Sequence, residues 1–274
     1  MLNHLKLQNV GPAPTMELNF GERLNLITGN NGLGKSFLLD VAWWALTRRW
    51  PAEINPKLTA GKKAWPSFPG DASISFTFSG KTKEESYEST YQRKEQAWTG
   101  RPGRPANPGL VLYAMTVVFL IDEVEAHLHP AWQRTVIPGI LSVMDELSSR
   151  ASVQLITATH SPLVMTSVEP SFDEKIDAWF DLDFEGKEVV LRRRDFEKHG
   201  DAGTWLLSEA FDLPSGRPKE YEQLVAEASQ LTELDKPAPE QIEKMNAAVV
   251  QALGPTDDFL FSWRYICRQK GWLK

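Results

Sequence analysis

A three-layer α/β fold with a mostly parallel core sheet is the class that this 274-residue sequence predicts. Three strand-like stretches carry the prediction, each ending in polar residues: Arg23-Leu-Asn-Leu-Ile-Thr28 before the run Gly29 to Ser36, Val117-Val-Phe-Leu-Ile121 before Asp122-Glu123, and Ser152-Val-Gln-Leu-Ile-Thr157 before Ala158-Thr159-His160. Helix-like runs follow the first two, from Phe37 to Leu46 and from beyond Arg134 through Leu147. Strands alternating with helices build parallel sheets covered by helical layers. An antiparallel β subdomain, drawn from the N-terminus and residues 73–115, and a helical C-terminal appendage complete the expected architecture. Residues 1–195 are expected to form the head and 196–274 the helical region.

The elements follow in chain order. Leu5-Lys-Leu-Gln-Asn-Val10 and Met16-Glu-Leu-Asn-Phe20 alternate around Gly11-Pro-Ala-Pro14, which reads as a hairpin or strand pair. In the helix after Ser36, Leu38, Leu39, Val41, Trp43, Trp44 and Leu46 point to burial on most sides. Residues 50–70 hold Pro51, Pro56, Pro66 and Pro69 with Gly61 and Gly70, marking an irregular connection. Ser73-Ile-Ser-Phe-Thr-Phe78 alternates as a strand with one buried face, and Glu84 to Trp98 supplies a partner. Arg93, Lys94, Arg101 and Arg104, with Tyr91 and Trp98 among them, form a basic aromatic loop. A solvated surface loop is its commoner meaning, and a groove for single-stranded nucleic acid the sharper one. Leu110 to Met115 is strand-like. A terminal hairpin turns at Glu185-Gly186-Lys187, and helical runs lie near 203–211, 217–234, 238–252 and 257–270.

Composition removes several classes. Hydrophobic residues at 42% and charged residues at 24% are globular values. No apolar run reaches a membrane span and Met1-Leu-Asn-His-Leu-Lys lacks a signal-peptide core, so a cytoplasmic location is expected. The single cysteine, Cys267, reads as a buried structural thiol. The net charge of −6 argues against a protein that coats nucleic acid through a uniformly basic surface. Val41 to Thr116 nonetheless carries 11 Lys/Arg against 6 Asp/Glu, while Asp195 to Phe261 carries 5 against 14. This asymmetry fits either a basic face for a polyanion or two ordinary solvated surfaces.

The run Gly29, Asn30, Asn31, Gly32, Leu33, Gly34, Lys35, Ser36 matches G-x-x-x-x-G-K-[ST] and sits between a strand and a helix that starts at Phe37. Glycines let successive N–H groups and the positive helix end face a phosphate. Lys35 is placed for the β- and γ-phosphates and Ser36 for Mg²⁺. Asp122, closing an apolar strand, would hold the same Mg²⁺, and Glu123 would polarise the attacking water. Two adjacent carboxylates at a buried strand end are costly without a cation or donors. His127 and His129 have ligand-like spacing without further Cys or His nearby. His160, level with the acidic strand end, is placed to contact the γ-phosphate.

Together these residues resemble the ATP-binding-cassette-type ATPases of the overcoming-lysogenization-defect, RecF and SMC-head branch, P-loop NTPases by fold. The carriers are Gly29 to Ser36 as Walker A, Val117 to Glu123 as Walker B, Asp122-Glu-Val-Glu-Ala-His-Leu-His-Pro130 as the D-E-x-E-x-H-L-H-P form of the branch, and Thr159-His160-Ser161-Pro162 as the switch histidine. The resemblance implies ATP and Mg²⁺ as cofactors, Glu123 as catalytic base, His127 to Pro130 in the D-loop region, and a homodimer or higher homo-oligomer. The tail around Gly203 to Leu213 looks like that of Septu- and retron-associated defence ATPases, which implies an HNH-type nuclease partner acting on foreign or damaged DNA; DNA or RNA is also a possible partner of the chain, and no membrane is expected. The branch also carries a Leu-Ser-Gly-Gly signature shortly before Walker B, and nothing between Ser36 and Val117 resembles it. The short interval to Asp122 reads as a missing internal segment. A scaffold that binds ATP without turning it over is therefore the competing reading. A small-molecule kinase is disfavoured by Glu123 and the run to Pro130.

Overall fold

The computed structural model describes residues 1–54, 63–79, 84–99, 116–148, 151–234 and 237–272. The strand expected at Leu110 to Met115, and Arg101 and Arg104 of the basic loop, lie outside the described residues.

The chain begins with β1 (Leu2–Gln8) and β2 (Thr15–Asn19), antiparallel with Leu5 opposite Leu18. It continues into β3 (Leu24–Gly29), α1 (Lys35–Thr47) and a short α2 (Pro51–Ile54). Three strands then return to the first sheet: β4 (Ser73–Ser79), β5 (Glu84–Gln92) and β6 (Ala97–Trp98). The order is β2-β1-β4-β5-β6, with every pairing antiparallel. Ile74, Phe76 and Phe78 of β4 face the core on alternate positions, as a half-covered sheet requires.

The second sheet gathers β7 (Thr116–Ile121), β8 (Ser152–Ala158), β9 (Ala178–Glu185) and β10 (Glu188–Arg194) around β3. Its order is β10-β9-β3-β8-β7, parallel from β9 to β7, with β10 an antiparallel edge closed by the hairpin at Gly186. Between these strands run α3 (Pro130–Gln133), α4 (Val136–Ser148) and α5 (Pro162–Val168), and α6 (Ala202–Leu206) follows β10. β3 is buried along its whole length because both its faces are covered. On one face Ile27 joins α1 and the antiparallel sheet through Leu38, Val41, Ala45, Leu5 and Phe76. On the other Leu24 and Leu26 join Ile137 and Leu141 of α4 and Val164 and Met165 of α5.

Buried polar groups fix how these layers meet. Gln154 of β8 accepts from Leu2 N at 3.0 Å and donates to Leu2 O at 2.9 Å, which ties the two sheets together. Asp177, 1% exposed, accepts from Leu24 N and from Arg23 Nε, each at 3.0 Å, and so anchors the entry of β3. Each pairing satisfies groups that would otherwise be buried without partners.

Two compact units result, Met1–Asp212 and Leu213–Lys274. Residues 196–212 thus go with the first unit, not with the helical region expected to begin at 196. The reason is packing: Phe196 stacks on Phe172 at 4.0 Å, and Trp205 is fully buried with its indole N–H donating to Glu169 Oε1 at 2.6 Å. The second unit comprises α7 (Lys219–Glu233), α8 (Pro239–Ala252) and α9 (Asp258–Gln269) around Leu231, Ile242, Val249, Leu260, Trp263 and Cys267. Cys267 is fully buried, and burial pushes its thiol pKa up. Its helix keeps Phe261 and Tyr265 on the exposed side. No helix among the described residues is long and apolar enough to cross a membrane.

Candidate active site

The loop after β3 turns where a side chain has no room. Gly29 adopts φ +125°, and a Cβ there would lie 2.2 Å from the Leu182 carbonyl oxygen of β9. Gly34 is the left-handed N-cap of α1 and offers no side-chain cap, so first-turn amides remain for an anion. Lys35 is 6% exposed and folds back over the loop, with Nζ donating to Gly29 O at 2.7 Å and Asn30 O at 3.1 Å. Burial lowers its pKa, while the negative charges of Asp122, Glu123, Glu125 and Asp181 work the other way. A phosphate arriving at the loop would meet an ammonium held by two neutral carbonyls and short of a direct counter-ion.

Asp122 closes β7 and is exposed, facing the same region. Burial, and then the Asp122 charge, push the Asp40 carboxyl of α1 up to about 6. That excess of negative potential, with the Ser36 hydroxyl in the first turn of α1, is an all-oxygen environment that fits Mg²⁺. Among the described residues no group of three His, Cys, Asp or Glu forms a ready-made metal cage. His127 and His129 are exposed, and His129 Nδ1 instead accepts from Ala131 N at 3.2 Å as the cap of α3.

Glu123 is half exposed with φ +47°, a backbone conformation that a non-glycine residue adopts at a cost. His160 Nε2 lies 3.9 Å from its Oε1 and 3.8 Å from Glu125 Oε1. The structure thus brings His160 beside the proposed base. Glu125 is the residue that sequence reasoning left without a role. Buried at 7% exposure, it accepts from Thr159 Oγ1 at 2.8 Å and from His160 N at 2.7 Å. It fastens the end of β8 to the end of β7 and so sets where His160 stands. The His160 Nδ1 is buried without a hydrogen-bond partner among the described residues.

A second unassigned group lies behind the loop. Thr28 Oγ1 donates to Asp181 Oδ1 at 2.8 Å and accepts from Trp179 Nε1 at 2.8 Å, while Arg194 Nη2 donates to Asp181 Oδ2 at 3.2 Å. Burial raises the Asp181 pKa, and Thr28 and Arg194 oppose it.

Parts of the chain are similar to known proteins. The family described as "AAA domain, putative AbiEii toxin, Type IV TA system" matches residues 107–166, the span from before β7 into α5. The Escherichia coli "Retron Ec83 probable ATPase" is 27% identical over 162 residues, 57% of this chain and 26% of that protein. The Vibrio cholerae "Retron Vc95 probable ATPase" is 34% identical over 82 residues, 30% of this chain and 14% of that protein. The chain is thus similar, over part of its length, to proteins named as probable ATPases. The chain spans about a quarter, or less, of the length of these relatives. A solved SMC head domain from Thermotoga maritima is 15% identical, covering 71% of this chain and 99% of that one at a TM-score of 0.44.

Glu125 has a testable part. Glu125→Ala would leave the Thr159 hydroxyl and the His160 amide without their buried acceptor, at a cost of about 1–3 kcal/mol for each. The expected outcome is a melting temperature lowered by several degrees and ATP turnover reduced about tenfold or more. Glu125→Gln, which keeps one acceptor oxygen, should restore part of both, as read by thermal denaturation and phosphate release.

Proposed function

We propose that this chain binds ATP with Mg²⁺ at the loop Gly29 to Ser36 and hydrolyses it. Two or more copies would assemble around the nucleotide to control a partner effector, a nuclease acting on DNA or RNA in cytoplasmic anti-phage defence. The observation that carries the reading is the Lys35 ammonium, buried over the phosphate loop and faced by the carboxylates at the end of β7. The retron names of the Escherichia coli and Vibrio cholerae relatives support the defence setting.

The chemistry follows from the side chains. Lys35 and the open amides of α1 would neutralise the β- and γ-phosphates. Bound Mg²⁺, held by Ser36 and Asp122, would supply further charge neutralisation. Glu123 would orient a water and accept its proton as the water oxygen bonds to the γ-phosphorus and the bond to the β-phosphate oxygen breaks, releasing ADP and phosphate. His160, set by Glu125, would contact the γ-phosphate and report its loss to the α5 side of the site.

Phosphate release by the purified chain, and its size with and without ATP, test the proposal. Turnover together with ATP-dependent assembly supports it. ATP-dependent assembly without turnover would support the non-hydrolysing scaffold, which the lack of any signature-like segment between Ser36 and Val117 favours. Neither turnover nor assembly would contradict both.

A further inference from the structure

A buried carboxylate behind the phosphate loop has no part in the nucleotide chemistry. Asp181 of β9, 2% exposed, stands opposite Thr28 in the ladder that joins β9 to β3. The two pairs before it, Leu26–Trp179 and Ile27–Phe180, are made of large apolar residues. Packing of the sheet would be served as well by an apolar pair here, because a buried charge costs free energy even when it is paired. Instead Asp181 Oδ1 accepts from Thr28 Oγ1 at 2.8 Å, the Trp179 indole donates to the same hydroxyl at 2.8 Å, and Arg194 Nη2 donates to Asp181 Oδ2 at 3.2 Å. Arg194 also donates to Glu209 at 2.6 Å, so its charge is shared between two carboxylates. The residue after Thr28 is Gly29, whose carbonyl oxygen accepts from the Lys35 ammonium at 2.7 Å. Gly29 is packed against Leu182 with no room for a Cβ, so where β9 holds Thr28 also decides where the Gly29 carbonyl points.

We propose that Asp181 is a positioning residue of the nucleotide site, holding Thr28, and with it the Gly29 carbonyl, where the Lys35 ammonium is kept over the loop. This role presupposes the ATP-binding reading of the loop, and Asp181 itself touches no nucleotide. Its physical basis is preorganisation: a loop already held in its binding shape loses less freedom when a phosphate arrives. Without the carboxylate, the Thr28 hydroxyl keeps its indole donor but is left with the longer of its two acceptors, Phe180 O at 3.4 Å. Asp177 is the matched comparison. It too is buried and paired with an arginine, Arg23, but it anchors β3 at Leu24. Leu24 and Thr28 are four positions apart, about 13 Å along an extended strand.

The test is equilibrium titration of ATP with Mg²⁺ into folded variants of the full chain. Asp181→Asn, which keeps the shape and one oxygen but removes the charge, should weaken ATP binding about tenfold, as loss of an outer partner does at metal sites. Thr28→Val, which removes the hydroxyl, should weaken it to a similar degree, and Thr28→Ser, which keeps the hydroxyl, should stay within about threefold of wild type. Combining Thr28→Val with Asp181→Asn should weaken binding no further than about threefold beyond either alone, because the two residues act as one unit. Asp177→Asn should lower the melting temperature, read by thermal denaturation, and leave ATP binding within about threefold of wild type. A role confined to holding the sheet together would make Asp177→Asn and Asp181→Asn alike. Should Asp181→Asn fold poorly, the contrast between Thr28→Val and Thr28→Ser decides. If wild type binds ATP, then equal binding by Asp181→Asn or Thr28→Val, or an equal loss in Asp177→Asn, would overturn this inference alone. No binding by wild type would overturn both it and the nucleotide reading.

Discussion

Glu123→Gln is expected to lower ATP turnover by about 10²- to 10⁴-fold, the usual contribution of a positioned general base, and to leave ATP binding within about threefold of wild type. The amide keeps the shape of the side chain and the contacts of its backbone, but it cannot accept the proton of the attacking water. Glu123 is half exposed and 3.9 Å from His160, so losing its charge removes no buried pairing. The folded state should therefore melt within a degree or two of wild type. Turnover measured by phosphate release, beside binding measured by titration, separates the two effects. Equal turnover in wild type and variant would remove Glu123 from the chemistry.

Gly29→Ala should give the largest loss of stability. Its Cβ would have to occupy space 2.2 Å from the Leu182 carbonyl oxygen, and the obstacle is backbone of β9, which cannot rotate away. Gly29 also pairs with Leu182 in the central ladder, so relief requires parting β3 from β9. The left-handed backbone at φ +125° adds strain of its own. A destabilisation of about 4 kcal/mol or more is expected, with nucleotide binding lost as the loop shifts. Gly32→Ala is the matched contrast: its φ is +84°, yet a Cβ there meets nothing within 4 Å. Only the conformational cost of about 1 kcal/mol remains for it. Urea denaturation of the two variants should show this difference, and similar midpoints would contradict the packing argument.

Much of this was readable in the sequence, for local reasons. The loop from Gly29 to Ser36, the apolar strand before Asp122-Glu123, and the hairpin at Gly186 are written in consecutive residues whose types restrict the backbone directly. The order of the core sheet is different in kind. That β8 lies between β3 and β7 follows from how layers pack, and no local pattern encodes it. Glu125 stood inside a recognised run, yet its partners Thr159 and His160 are 34 and 35 residues away, so its role appears only when the ends of β7 and β8 meet. Asp181 and Thr28 are 153 residues apart and were equally invisible. The helical run expected near 203–211 follows the terminal hairpin and reads in sequence as the start of the helical region, yet it belongs to the first unit. Only the burial of Trp205 against Glu169 and His199 shows where it belongs.

Equilibrium titration of ATP with Mg²⁺ into the wild-type chain and into Lys35→Ala tests the central claim most directly. The Lys35 ammonium is held over the loop by Gly29 O and Asn30 O, within reach of a phosphate bound by the loop amides. Saturable binding by wild type, weakened about 100-fold or more in the variant, is the predicted result. Wild-type binding that is unchanged by the substitution, or no binding at all, would contradict it.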